Sequence, residues 1–491
     1  MSARRWWMVV SLVVAAVARM PAQLPRTYCN PLPIPEIQPG TRGVKTPGKG
    51  RWMMTDVARD FRSMADPTVV RLGSRWYLFP SNGMLWYSDD LVHWTHHAIE
   101  PKDIGWAPTV VAYRGALYLT AGGDRMWTAQ DPLGPWKLLP RLRDAEGTPA
   151  SWKDPCLFVD RDGTLYCYYG LGTDGIYVVK LDPADPTRFA SAPVHCFAFN
   201  PAHLWERFGE HHEDPSKSSI EGSWMTRHNG RYYLQYSAPG TIFRDYAVGC
   251  YIGDTPLGPW HYQHRNPILL QKGGLINGCG HHSIVEGPDG TWWCFYTLLV
   301  RIEHGFERRV GMDPVGFDAN GEMFVRGPSE TPQFAPGVVK DPWNGNSQGL
   351  QNLTSGYQTS ASTYVVGHEP ALAEDDNIRT WWEASGEGTQ WLRVDLERVY
   401  DLYSARTMFA DRGLDYAAGI VPGPYRYRIE GSLDGKSWFT LLDKSDNTVD
   451  QPIEYDAWAP RPARYVRLVV LSAPKGMRLG VWEFSVFGRA P

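Results

Sequence analysis

Ser218-Ser219-Ile220-Glu221-Gly222-Ser223-Trp224-Met225-Thr226-Arg227-His228-Asn229-Gly230-Arg231-Tyr232-Tyr233-Leu234-Gln235-Tyr236-Ser237 decides how this chain is read. An acid stands at the mouth of an apolar strand, Asn229-Gly230 makes the turn, and an aromatic strand returns. Asn-Gly between two alternating runs is the strongest short-range hairpin signal. The spacing predicts an antiparallel hairpin with the Glu221 carboxyl at its rim, a candidate for chemistry.

The same pattern recurs. Asp66-Pro67-Thr68-Val69-Val70 leads through Gly73 to Trp76-Tyr77-Leu78-Phe79, and Ala107-Pro108-Thr109-Val110-Val111 leads through Gly115 to Leu117-Tyr118-Leu119. Asp154-Pro155-Cys156-Leu157-Phe158 leads through Asp162-Gly163 to Leu165-Tyr166-Cys167-Tyr168, and His281-His282-Ser283-Ile284-Val285 through Asp289-Gly290 to Trp292-Trp293-Cys294-Phe295-Tyr296. Copies about 40 to 70 residues apart have the spacing of propeller blades, so a five-bladed β-propeller is expected. The Trp residues of the intervening turns, Trp94, Trp136 and Trp260, read as packing between blades.

With 491 residues, two or three domains are expected. The chain holds 22 Trp and 25 Tyr with abundant Gly and Pro, the composition of an all-β protein with many turns. A net charge of -4 with interspersed signs gives no basic stripe for nucleic acid and no acidic tail. Residues 1–22 read as a signal peptide: Arg4-Arg5, an apolar run from Trp6 to Val17, then small residues with candidate cleavage after Ala18 or Ala22. The run falls short of the roughly 20 residues a membrane span needs, which disfavours an uncleaved anchor. A secreted or periplasmic monomer with no membrane span in the mature chain is expected. The seven cysteines show no metal spacing; Cys156 and Cys167 face across one predicted hairpin as a candidate disulfide, with buried free thiols as the alternative.

Residues 23–60, rich in Pro, Gly and basic residues, read as an extended lead-in over the propeller, which takes 61–335. Turn formers at 336–349 read as a linker. Residues 350–491 carry a second all-β pattern, with alternating strands at 390–396, 425–432 and 464–470, that suits a β-sandwich or jelly roll. No cluster of catalytic character stands in it. Truncation near Asn346 is therefore expected to leave a folded, active propeller.

The motifs Ala65-Asp66-Pro67, Asp154-Pro155 to Tyr166, Glu221-Gly222 to Ser237 and Gly280-His281-His282-Ser283 follow one another as in glycoside hydrolase family 43, which the chain resembles over about residues 60 to 335. The resemblance implies Asp66 as general base, Asp154 as the group that tunes the acid's pKa, and Glu221 as general acid. It also implies that His281 faces the central cavity, where a hydrated cation, a calcium, sits close to substrate; a hydrogen-bonded structural His281 is the alternative. No cofactor is required for the chemistry. The last domain resembles a discoidin module (coagulation factor 5/8 type C, like family 32 carbohydrate-binding modules) through Ala373 to Trp382, Gln390 to Leu396, Ser432 to Trp438, Arg464 to Leu468 and Glu483 to Gly488. Asp376 stands where that family has Gly. Such domains hold a structural calcium, for which Asp375, Thr380 and Glu483 offer oxygen donors.

Glycoside hydrolysis needs one carboxyl protonated to meet the leaving oxygen and another ionised to activate water. Asp66, Asp154 and Glu221 fit that division, a third carboxylate keeping the acid's pKa up. The bland reading, carboxylates capping loops at a propeller rim, is weakened by the Ala107-Pro108 copy, which shows that the fold does not itself require an acid there. Trp106, Trp152 and Trp224 adjoin these positions and are candidates to stack on a sugar, or core residues. Of the pair Arg308-Arg309, Arg309 is taken to reach a sugar hydroxyl or a carboxylate. The insertion at 182–217, with His211-His212-Glu213-Asp214, walls the pocket or is surface.

Three function classes remain. The first is an inverting exo-glycosidase on oligosaccharide or polysaccharide of plant type, an α-L-arabinofuranosidase or β-xylosidase, with galactosides or galactofuranosides as alternative substrates. A retaining hydrolase of the invertase and levansucrase group needs an Asn-Asp-Pro-Asn-Gly-type motif, and Ala65-Asp66-Pro67-Thr68 is not one. A catalytically silent sugar-binding or adhesion protein is the third.

Overall fold

The computed structural model describes residues 24–38, 61–81, 83–100, 104–300 and 306–491. The signal-peptide reading of 1–22 and most of the lead-in lie outside these residues. Among the described residues no helix is long and apolar enough to cross a membrane.

Five four-stranded antiparallel sheets form the propeller, each built from one continuous stretch with its strands in sequence order. Their innermost strands are Thr68–Leu72, Thr109–Tyr113, Cys156–Val159, Glu221–His228 and Gly280–Glu286. The deciding hairpin pairs His228 with Arg231 around Asn229 and Gly230, both at positive φ, as a tight two-residue turn between twisted strands requires. Neighbouring blades are tied through hydroxyls on the inner strands. Thr68 Oγ1 donates to the Pro108 carbonyl (2.6 Å), and Thr109 Oγ1 accepts from the Leu157 amide (3.0 Å). Ser283 Oγ accepts from the Val69 amide (2.9 Å), which joins the fifth blade to the first. Val69 and Trp76 also share one core with Val285, Trp293 and Phe295 across that seam.

The described part of the lead-in is not draped over the surface. Thr27–Tyr28 pairs with Gln333–Phe334, and the fully buried Asn30 exchanges bonds with Met312: its Nδ2 donates to the carbonyl (3.1 Å) and its Oδ1 accepts from the amide (2.9 Å). All seven cysteines are free, so Cys156 and Cys167 pack as apolar groups instead of bridging. Cys156 pairs with Tyr168 and Leu157 with Cys167, a register that puts the two thiols on opposite faces of the sheet, in two different cores.

The C-terminal domain is one eight-stranded sheet wrapped on a core of Trp382, Leu392, Val394, Phe409, Tyr427 and Phe484. Two long strands, Gln390–Phe409 and Ile453–Ser472, pair along most of their length and carry it. This domain does not stand apart from the propeller. Ile378, Met408, Ala410, Ile453 and Trp482 share a core with Leu275, Ile276, Leu298 and Val300 of the propeller. Arg62, buried, is paired with Asp411 (2.6 Å) and Asp450 (2.8 Å) across the junction, and Arg406 Nη1 donates to the Asn30 carbonyl at 2.7 Å. Residues 336–349 are likewise fixed: Pro342 is buried, and Asn346 exchanges hydrogen bonds with Phe334 at 2.7 and 2.9 Å.

The expectation of a separable propeller is corrected by this shared core, since truncation near Asn346 exposes apolar surface and strips a buried Arg62 of both partners. Removing partners from a buried ion pair costs about 3 to 5 kcal/mol, a large part of a domain's net stability. A chain ending at Asn346 is expected to be insoluble or to melt well below the full chain in a thermal scan. Equal melting of the propeller in both forms would contradict the shared core.

Candidate active site

The inner strands begin with a repeated backbone device. Asp66 (φ 52), Ala107 (φ 50), Asp154 (φ 48) and His281 (φ 35) are non-glycine residues in the left-handed region, an uncommon conformation that clusters at functional sites. In the fourth blade that place is taken by Gly222 (φ 60), so Glu221 precedes the equivalent position by one residue, and the strand register shifts between Glu221 and Trp224 to absorb the offset. Glycine is needed there because an added Cβ would meet His281 Cγ and Nδ1 at 3.1 Å. Amides at these starts are held by hydroxyls that end the preceding blade's second strand: Asp66 N donates to Thr297 Oγ1 (2.8 Å), Ala107 N to Ser81 Oγ (2.8 Å) and His281 N to Ser237 Oγ (2.8 Å).

This arrangement brings Asp66, Asp154, Glu221 and His281 together. His281 Nδ1 lies 3.5 Å from Asp66 Oδ1 and 3.7 Å from Asp154 Oδ2, and ligating atoms of Asp154, Glu221 and His281 lie within 4.8 Å of one another. Glu221 accepts from Tyr246 Oη (2.7 Å) and Ser219 Oγ (2.9 Å), while among the described residues Asp154 Oδ2 accepts the longer Gly222 amide bond at 3.3 Å. Asp66 accepts from Ser81 Oγ and from Arg308 Nη1 (3.1 Å).

Environment separates the three carboxyls. Burial pushes Asp66 up, but Arg308, His281 and Ser81 together outweigh it and hold the carboxyl below the usual aspartate range. Because burial keeps His281 itself toward the neutral form, Arg308 is the permanent cation of the group. Burial pushes Glu221 up to about 7 against the bonds from Tyr246 and Ser219. Burial, then the Glu221 and Asp66 charges, push Asp154 well above its ordinary value. Asp154 and Glu221 are too close and too dry for both to ionise, so they titrate as a pair that keeps a proton near neutrality. The arrangement offers one carboxylate and one shared proton in a buried place.

Other expected residues fare differently. Trp106 is 36% exposed at the rim, 5.8 Å from the Arg308 guanidinium and 6.4 Å from the Phe306 ring, and remains a candidate platform. Trp152 is buried, stacked on Phe189 with Nε1 donating to Thr120 and Ala121, and Trp224 donates to the Ile284 carbonyl between two blades; both are packing residues. Arg309 is corrected to a junction residue: it is buried, donates to the Arg62 carbonyl (2.7 Å), pairs with Glu307 and lies over Trp482. Arg308 stands in the site instead, because adjacent strand residues point to opposite faces. Tyr246, Ser81 and Ser219 were missed. The recurring hydroxyl after an aromatic strand, at Ser81, Ser237 and Thr297, was the available signal for one of them. The insertion reaches the same end of blade four, with His212 Nε2 2.8 Å from Asp245 Oδ2 and Phe208 edge-on to Phe243.

The expected calcium donors of the C-terminal domain separate too. Asp375 and Thr380 hydrogen-bond each other at 2.8 to 2.9 Å near the surface. Buried Glu374 has neither carboxylate oxygen partnered, and Oε2 of buried Glu483 is also without a partner. Orphaned oxygens of two buried acids fit a hard cation.

A family model for glycosyl hydrolases family 43 matches residues 62–323, and an F5/8 type C domain model matches residues 358–484. The chain belongs to glycosyl hydrolases family 43. A β-xylosidase of Xylanibacter ruminicola is 32% identical over 43% of this chain and 66% of its own length. An arabinoxylan arabinofuranohydrolase of Paenibacillus polymyxa is 24% identical over 63% of this chain and 59% of its own. A xylosidase/arabinosidase of Bacteroides ovatus is 27% identical over 40% of this chain and 62% of its own. The chain spans 50 to 66% of the length of the curated relatives it matches first.

Proposed function

We propose that this family 43 chain is an inverting, exo-acting glycoside hydrolase of the α-L-arabinofuranosidase or β-xylosidase type, working as an exported monomer on plant-type glycans. The observation that carries the reading is the division of protonation within one buried cluster: Asp66 held ionised by Arg308, and Glu221 held protonated near neutrality beside Asp154. In the proposed reaction Asp66 takes a proton from water as that water attacks the anomeric carbon. Glu221 gives its proton to the leaving oxygen, and Asp154 tunes the acid through their shared proton. Trp106, at the exposed rim, offers a face for the sugar ring. The names of the relatives support the choice of pentosides.

Turnover needs Asp66 ionised and Glu221 protonated. Because the first is depressed and the second raised, kcat/KM should stay high from acid pH and fall as pH rises through about 7. Tyr246 holds the Glu221 pKa down, so Tyr246→Phe should move that limb upward. Asp66→Asn and Glu221→Gln should each cut turnover on glycosides with poor leaving groups by about 10² to 10⁴. A panel of arabinofuranosides, xylosides, galactosides and galactofuranosides assayed across pH checks all three. Near-normal turnover by either carboxyl variant would overturn the roles.

Calcium is proposed at two places. Glu374 and Glu483 would hold one ion in the C-terminal domain, in place of the expected Asp375 and Thr380. In the propeller His281 would face a hydrated ion beside substrate. Bound calcium there supplies positive charge near the carboxyl cluster. Thermal scans with calcium and with chelator test the first site: melting should rise with calcium in the full chain and not in Glu374→Gln. Identical curves would remove the ion from the account.

A further inference from the structure

A cavity of about 680 Å³ has walls that come from separate parts of the chain. Glu210 and His211 belong to the insertion, Arg244 and Asp245 to the loop after the strand Arg231–Ala238, Lys272 to the loop before Gly280–Glu286, and Arg379 to the C-terminal domain. The propeller loops share the catalytic face by topology: they adjoin the strand ends at which Glu221 and His281 stand. Asp245 immediately precedes Tyr246, whose hydroxyl holds Glu221, and the Arg244 carbonyl accepts from the Gly278 amide (2.9 Å), three residues before His281. Arg379 is fixed in place because its neighbour Ile378 is buried in the core shared with Leu275 and Ile276.

The charges in this cavity do not cancel. Asp245 is shared between His212 (2.8 Å) and Lys272 (3.1 Å), and Glu210 faces Arg244 at 3.4 Å. Arg379 has no ion-pair partner among the described residues, and its Nη2 is buried without a hydrogen bond. Among the described lining residues three cations thus stand against two carboxylates, and the cation without an ion pair there is a guanidinium with a buried open donor. A guanidinium fork matches a carboxylate in two parallel bonds, a geometry that no neutral hydroxyl reproduces.

We propose that this cavity is a subsite for a uronic-acid substituent on the glycan, read by Arg379 from the C-terminal domain with Lys272 as a second cation. The proposal rests on the glycosidase reading and deepens it. The C-terminal domain then supplies a specificity-determining residue to the propeller's substrate cleft. Attraction to the carboxylate weakens as salt screens it.

The full chain and its Arg379→Gln and Arg379→Lys variants are assayed on xylo- and arabinoxylo-oligosaccharides bearing a glucuronate branch, and on the same oligosaccharides after reduction of the carboxyl to an alcohol. The parent chain should prefer the acidic form, the more so at low salt. In Arg379→Gln the ratio of kcat/KM on acidic to reduced substrate should fall about 10- to 100-fold, the worth of a charge-assisted hydrogen bond, with part restored in Arg379→Lys. A ratio unmoved by Arg379→Gln, or a parent chain indifferent to the carboxyl, would overturn the subsite. If no oligosaccharide is cleaved, the glycosidase reading fails separately. Calorimetry of the acidic oligosaccharide against parent and Arg379→Gln then decides: weaker binding to the variant supports the subsite, and equal or absent binding overturns it.

Discussion

Three buried carboxyls stand around one permanent cation, and the chemistry of this protein depends on how that charge is divided. Arg308 bonds Asp66 directly and acts on Asp154 and Glu221 only through its more distant charge, so one acid is matched by an opposite charge in contact while the other two are left to share a proton. Two carboxylates as close and as dry as Asp154 and Glu221 repel strongly when both are ionised, which makes protonation of one the cheaper state. In the proposed roles, acid and base are thus distinguished by surroundings, with the same functional group in both.

The propeller supplies that geometry through its backbone. A left-handed residue stands at the start of each inner strand, in four blades it turns a side chain inward, and at Asp66, Ala107 and His281 a hydroxyl from the previous blade fixes its amide. Blade two uses the same device with Ala107, so the turn is architectural and the acid is an addition to it. Blade four varies it: Gly222 takes the strained place, His281 packs where its side chain would be, and Glu221 is displaced by one residue toward Tyr246. The C-terminal domain locks against the same body through Arg62 and a continuous apolar core, so its loop at Arg379 is held beside the propeller loops at Arg244 and Lys272.

Much of this was legible in the residues. Five copies of one hairpin pattern specified the propeller, and the acids at Asp66, Asp154 and Glu221 stood out because Ala107 showed what the pattern looks like without them. The choice between Arg308 and Arg309 was not legible, since it turns on which strand face each residue takes, and that register is set by pairing with Leu298 and Leu299. Tyr246 lies in an irregular loop with no periodicity to mark it. The junction was misread because turn formers at 336–349 look alike whether they span solvent or pack, as Pro342 and Asn346 do here. Trp152 and Trp224 were ambiguous for a related reason: a propeller uses tryptophan both between blades and at its mouth.

The claim that Asp66 acts through water, with the proton held by the Glu221 and Asp154 pair, is tested most directly by the anomeric form of the first product. Proton NMR of the sugar released from a cleaved glycoside, read before mutarotation, should show the anomer opposite to that of the substrate. Release of the substrate's own anomer would mean direct attack by a nucleophile, and would contradict the assignment of Asp66 as a base.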